Sequence, residues 1–165
     1  MTTHPTYDQL IDLPAYVEQP VPMPFEDING HLNVRHYIGI ASEGLDESLV
    51  EVGIPTMWPL THGQACFTAE HHVTYLNELR TGDQMSARVR LLGRSERAAH
   101  VLVYLLDETH HQVACVVEEI FLHIDLDTRR TAPWPDDVAA LLDARIAEHA
   151  TLGFAADTSG SLALR

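Results

Sequence analysis

A carboxylate, a glycine and a histidine stand together ahead of an amphipathic stretch, in Asp27-Ile28-Asn29-Gly30-His31-Leu32-Asn33. Asp-Ile-Asn-Gly is a turn signal: Asp and Asn bond their own backbone, and Gly accepts positive φ. Asn33 is placed to cap the helix that follows. The first amides of a helix lack intrahelical acceptors and carry partial positive charge. Together, such amides and a nearby carboxylate hold an electrophilic carbonyl. An amide receives the developing oxyanion, one such donor being worth about 10²–10³ in rate. The carboxylate attacks the carbonyl or activates a water that does. The same residue types also build a turn and a cap with no chemistry, and spacing alone does not choose.

Arginine offers the second chemistry. The chain has 165 residues, a formal net charge of −14 and no lysine. Five of its ten cations, Arg80, Arg88, Arg90, Arg94 and Arg97, share one stretch with only Asp83 and Glu96 against them. A planar guanidinium binds phosphate oxygens in pairs, so this basic island suits an anionic ligand. The alternative is a strand face whose arginines pair with acids on a neighbour. The acidic remainder argues against nucleic acid and against anionic membrane as partners.

Other chemistries find less support. His71-His72 and His110-His111 are adjacent pairs, which point to opposite faces of a strand and do not chelate. Asp125-Leu126-Asp127 lacks the Gly and terminal Glu of a calcium loop. No zinc spacing, phosphate loop or nucleophile elbow is present, and no metal or cofactor is expected. Cys66 and Cys115 sit in apolar, strand-like stretches without a cationic activator and read as buried thiols.

The elements that must position these groups follow from periodicity. Val34, Tyr37, Ile38, Ala41, Leu45, Leu49 and Val52 recur at spacings of three and four, predicting one long helix after Asn33 that ends at Gly53. Before it, Tyr16–Pro24 reads as an edge strand, because Pro20, Pro22 and Pro24 cannot donate to a ladder. Residues 54–63 read as a loop. Four strands follow, at 65–76, 84–92, 98–107 and 113–124. In the second, Met85, Ala87, Val89 and Leu91 share one face, and Ser86, Arg88 and Arg90 the other. The last two are nearly continuous apolar runs, as for strands covered on both sides. Asp136–Ala150 predicts a surface helix with Val138, Leu141, Leu142 and Ile146 in phase. The class is α+β: one antiparallel sheet curled around one long helix. Residues 1–15 read as a loose arm with a short turn around Tyr7–Leu13, 16–150 as the domain and 151–165 as a tail. The outer sheet face and an open edge strand need cover, so self-association is expected. No apolar run approaches the ~18 residues of a membrane span, and no leader opens the chain, so a cytoplasmic protein is expected.

Asp27-x-x-Gly30-His31-x-Asn33, with Tyr37 in the helix, resembles the signature of hotdog-fold acyl-CoA thioesterases of the 4-hydroxybenzoyl-CoA thioesterase type. Phe67-Thr68-Ala69-Glu70 and Val73-x-Tyr75-Leu76 leading into Gly82-Asp83 are similar to that family's second strand and turn. Phe67–Val73 and Leu122–Pro135 resemble most the domains that act on betainyl-CoA. The resemblance implies hydrolysis of a small acyl-CoA, with CoA as part of the substrate and no separate cofactor. It implies Asp27 as nucleophile or general base, and the Val34 N–H as the amide that polarises the thioester. His31, Gly30 and Asn33 match positions that shape the turn. Phe25 stands where many relatives carry a second Asp. Family sites form between subunits of a homodimer or dimer of dimers, so Glu70 is expected to contribute from the partner. On this reading Arg88 and Arg90 are expected as exposed contacts to the CoA phosphates. Arg35, in the first helical turn, either faces an anionic acyl end or makes a surface ion pair; it would disfavour a cationic one. A non-catalytic acyl-CoA-binding module and a hotdog enoyl-CoA hydratase or dehydratase are the rival readings.

Overall fold

Asn33 caps the long helix as its position suggests, its side chain accepting from the Arg35 N–H at 3.1 Å. The computed structural model describes residues 4–156 and 158–165. In chain order come helix Tyr7–Leu10 (α1), strand Ala15–Pro20 (β1), helix Val34–Val50 (α2) and a single-turn helix Trp58–Thr61 (α3). Strands Gln64–Tyr75 (β2), Gln84–Arg94 (β3), Ala98–Asp107 (β4), Gln112–Asp125 (β5) and Arg130–Thr131 (β6) follow, then helix Asp136–Ala150 (α4). The sheet order is β1-β3-β4-β5-β2, antiparallel throughout, with β6 beside β5. β1 stops at Pro20, short of the expected Pro24, and lies on one edge, with β2 on the other.

The sheet packs its inner face on α2. Met85, Ala87, Val89 and Leu91 of β3 join Val101, Val103 and Leu105 of β4 and Cys115, Val117 and Phe121 of β5 in one core with Tyr37, Ile40, Ala41, Leu45 and Leu49. The buried face of α2 is rotated from the expected stripe. Val34 and Ile38 are exposed, at 59% and 38%, while Ile40, Gly44 and Ser48 are buried. Gly44 explains the rotation: a Cβ there would lie 2.5 Å from the Ala87 Cβ, so helix and sheet meet where a side chain is missing. Ser48 is buried with its hydroxyl donating to the Leu45 C=O at 2.8 Å. Apolar counting sees neither residue. The helix ends two residues earlier than the stripe implied, and Gly53 (φ +81°) turns the chain beyond the Glu51 cap.

Residues 7–13 are not a loose arm. A capping box at Thr6 and Gln9 starts α1, and Tyr7, Leu10 and Leu13 are buried on the outer face of the sheet against Leu102, Tyr104, Leu106, Val113 and Val116. Leu152 and Phe154 pack on the same cluster, so the C-terminal segment also lies on the sheet. Both chain ends thus supply cover that self-association was expected to provide. α4 has the predicted bounds, but Leu141 is exposed and His149 is buried in the last turn. β1 pairs with β3 only over residues 84–88. Beyond that, His149 Nδ1 accepts the Leu91 N–H at 2.9 Å, so a helix side chain takes up a sheet-edge donor. Burial lowers the His149 pKa to about 4, which keeps the ring neutral and able to accept. α3 and β6 were not anticipated; α3 is a short piece inside the 54–63 loop, and β6 lies between the last predicted strand and helix.

Candidate active site

The turn at Asp27 is built as its residue types require. Asp27 N–H donates to His31 C=O at 2.9 Å and Gly30 N–H to Asp27 C=O at 3.1 Å, with Gly30 at φ +84°. Asn33 N–H donates to Phe25 C=O at 2.8 Å, and the Phe25 ring stacks on His36 at 3.9 Å. Phe25 therefore anchors the turn by its backbone and ring. A second contact fixes the turn to the connection after β2: Leu32 N–H donates to Leu79 C=O at 2.7 Å, and Thr81 Oγ1 donates to Glu26 Oε2 at 2.5 Å.

The Asp27 carboxylate accepts the Asn29 N–H at 2.7 Å and the Asn29 side-chain amide at 3.3 Å. The Asn29 N–H is the main reason its pKa is lowered, and His31 adds to it. Asp27 is thereby held ionised across the neutral range. His31 Nδ1 lies 3.6 Å from Asp27 Oδ1, and its Nε2 lies 3.3 Å from Glu78 Oε2. One ring spans two carboxylates. At the start of α2, Asn33 occupies the Arg35 N–H with its side chain and the His36 N–H with its C=O. The Val34 N–H has no acceptor among the described residues. Asp27, His31 and Val34 line one cleft with Leu32, Tyr37, Tyr75, Leu76, Asn77 and Glu78, of about 330 Å³. Asp27, held ionised, and Val34, whose helix-start N–H is unused among the described residues, line the same cleft.

The remaining candidates divide. Arg35 is exposed, places its Nε 3.0 Å from His36 Nε2 and does not line the cleft. Glu70 sits on the free edge strand, outside the cleft of its own chain, 4.0 Å from Arg165. Arg88 and Arg90 are not exposed: each is 6% accessible. Arg88 donates to Leu13 C=O at 2.6 Å and to Glu108 at 2.8 Å. Arg90 donates to Phe154 C=O at 3.1 Å and stacks on the Phe154 ring at 4.8 Å. Both clip the chain ends to the outer sheet face and are closed to a phosphate. The rest of the basic island is paired too: Arg80 with Glu78, Arg94 with Asp143 and Arg97 with Glu96.

Tyr75, Asn77 and Glu78 are cleft residues that the reading of the chain did not single out as site residues. Their signal lay in the short polar link between Tyr75 and the Gly82-Asp83 turn, which the Leu79 contact folds back onto the motif. Among the described residues, Asp83, Asp107 and His110 are close enough to share a metal. Asp107 already accepts from the Thr109 and His110 N–H groups, His110 and Gln112, so these contacts build the β4–β5 turn. Cys66 and Cys115 are thiols pushed up to about 12 by burial, unsuited to nucleophilic work.

Residues 21–142 match the model of the thioesterase-like superfamily. The chain belongs to this family. Its thioesterase-like segment includes Asp27, Val34 and every other cleft residue. The chain is 30% identical over 135 residues to a betainyl-CoA thioesterase of Pseudomonas aeruginosa, covering 82% of this chain and 85% of that one. It is 26% identical over 126 residues to an L-carnitine dehydrogenase/betainyl-CoA thioesterase of Rhizobium meliloti, of whose length it spans 25%. A Staphylococcus aureus protein solved in complex with CoA superposes with a TM-score of 0.80 at 21% identity, over 93% of this chain and 97% of that one. A 1,4-dihydroxy-2-naphthoyl-CoA thioesterase from Synechocystis does so at 0.69 and 15%, over 78% and 94%. The thioesterase-like fold here is the hotdog arrangement, a curled antiparallel sheet around a long helix.

Proposed function

We propose that the protein hydrolyses short acyl-CoA thioesters to a free acid and CoA, with Asp27 and the Val34 N–H as its working groups. The observation that carries this reading is their placement on one cleft at the start of α2. The thioester C=O accepts from Val34 N–H, which polarises it and receives the oxyanion. Asp27 then adds to the carbonyl carbon. The tetrahedral intermediate expels CoA thiolate, which takes a proton from water, and water cleaves the acyl-aspartyl anhydride. In the general-base form, Asp27 instead takes a proton from the water that attacks. No cofactor enters either scheme. The P. aeruginosa relative's name, betainyl-CoA thioesterase, makes the betainyl group the leading acyl candidate.

The assembly proposed is a homodimer or dimer of dimers. β2 pairs on one side only and leaves Phe67 and Tyr75 exposed. Glu70 lies on that strand, where a partner can use it.

Thiol release across short, branched, dicarboxylyl and cationic acyl-CoAs tests the reading. Asp27→Asn is expected to lower kcat by at least about 10³-fold. Full activity in Asp27→Asn sinks the mechanism; silence across the panel sinks the activity and favours a binding module. Hydration of an enoyl-CoA with no thiol release points to the hydratase instead. One turnover in H₂¹⁸O that leaves label in the Asp27 side chain, or trapping of an acyl-enzyme, shows attack by the carboxylate.

A further inference from the structure

The cleft beside Asp27 has a composition that thioester cleavage does not itself require. The chemistry uses a carboxylate and an N–H, and the remaining walls are free to be aliphatic. Instead Tyr75 stands at the end of β2, 48% exposed as a residue, with its ring in edge contact with that of Tyr37 at 5.1 Å and 85°. Glu78 closes the wall beyond Asn77. The charged side chains lining the cleft are Asp27 and Glu78, with His31 between them.

The nearest arginines do not reverse this balance. Arg35 lies outside the lining with its Nε 3.0 Å from His36 Nε2. Arg80 donates to Glu78 Oε1 from Nε at 2.8 Å and also from its terminal nitrogen, and lines an adjoining cleft that Glu78 shares with Asp83, His110 and Gln112. Glu78 Oε2 is left on the side of His31 and Asp27. The cleft is therefore aromatic and acidic together.

That combination has a chemical partner. A quaternary ammonium carries no N–H and cannot be held by hydrogen bonds. It is held by ring faces and by carboxylates at contact distance, more strongly where water is thinned. A carboxylate-bearing acyl group would instead meet two like charges. We infer that Tyr75 and Glu78 select a cationic acyl end, the Tyr75 ring packing on the alkylammonium group and Glu78 supplying counter-charge beside Asp27. This rests on the hydrolysis reading and gives that site its substrate class. It also removes the objection from Arg35, which does not face the acyl group.

The test compares three thioesters of matched size: betainyl-CoA, 3,3-dimethylbutanoyl-CoA, in which carbon replaces the nitrogen, and succinyl-CoA. The expected kcat/KM for the cation exceeds that for its neutral isostere by about tenfold or more, with the anionic succinyl group poorest. Tyr75→Leu and Glu78→Gln are each expected to shrink the cation-to-isostere ratio at least about threefold, and Tyr75→Phe, which keeps the ring, to retain it. A ratio is insensitive to general damage to the enzyme. Equal rates on cation and isostere in the wild type, or a ratio unmoved in both Tyr75→Leu and Glu78→Gln, overturns the selection while leaving hydrolysis standing. If none of the three is cleaved, the hydrolysis reading fails. Calorimetric affinities for the same three ligands then decide the selection on the same criterion.

Discussion

Arg88 reaches Leu13 C=O at 2.6 Å and Glu108 at 2.8 Å from a position where 6% of its surface meets water. Glu108 also accepts from Ser86 and from the Tyr7 hydroxyl. Burial alone would raise the Glu108 pKa, but these donors outweigh it and hold the carboxylate below its usual value. Removing one partner of such a pair leaves a charge under the protein's own cover. Arg88→Met is therefore expected to cost about 3 kcal/mol in urea unfolding while KM for acyl-CoA stays within about twofold. A large rise in KM at unchanged stability would return Arg88 to the substrate. At this scale Asp27, Gly30 and Asn33 were legible because turn and cap chemistry is local. Glu78 was not, because its partner His31 lies far away in the chain and is reached only when Leu79 folds back on Leu32. Arginine placement showed a basic island but not the acids of Arg88 and Arg94, Glu108 and Asp143, which come from other elements.

α2 sits against β3 at one point of close approach, Gly44 over Ala87. Gly44→Ala adds a methyl where the next carbon is 2.5 Å away, so helix and strand must separate. Overpacking of this kind costs about 1–3 kcal/mol, against a helix-propensity gain of about 1. The expected net outcome is a lower thermal midpoint by calorimetry. A stabilised variant would mean that the helix re-seats without strain. The helix and the four long strands were readable from period and turn residues. The rotation of the helix was not, since Gly44 and Ser48 carry no apolar signal and the face they define exists only opposite β3. α1 was read only as a short turn in a loose arm for a related reason: its four residues acquire an apolar partner only from β4 and β5.

For the whole molecule, pH acts through His149. Its folded pKa is about 4, against an ordinary 6.5, because the buried ring accepts the Leu91 N–H in neutral form. As pH falls below 6.5 the unfolded chain takes up a proton that the folded one refuses, so stability present above that value is lost down to about pH 4. Thermal midpoints between pH 7.5 and 4 should decline in the wild type, and the decline should be shallower in His149→Gln, which starts lower. Parallel curves would show that His149 does not carry the dependence. The one-sheet, one-helix architecture followed from the pattern of elements; the sheet order, with β2 beside β5 rather than β3, did not. The fate of the two termini did not, because cover for an outer face is a property of the folded surface. That fate has a practical consequence. Leu10 is wholly buried and Phe154 is clamped by Arg90, so neither end is spare chain. A product cut at residue 16 or 150, or a tag that lifts either end, bares Leu102, Tyr104 and Val116 as a row of wet apolar side chains, and such a surface invites precipitation.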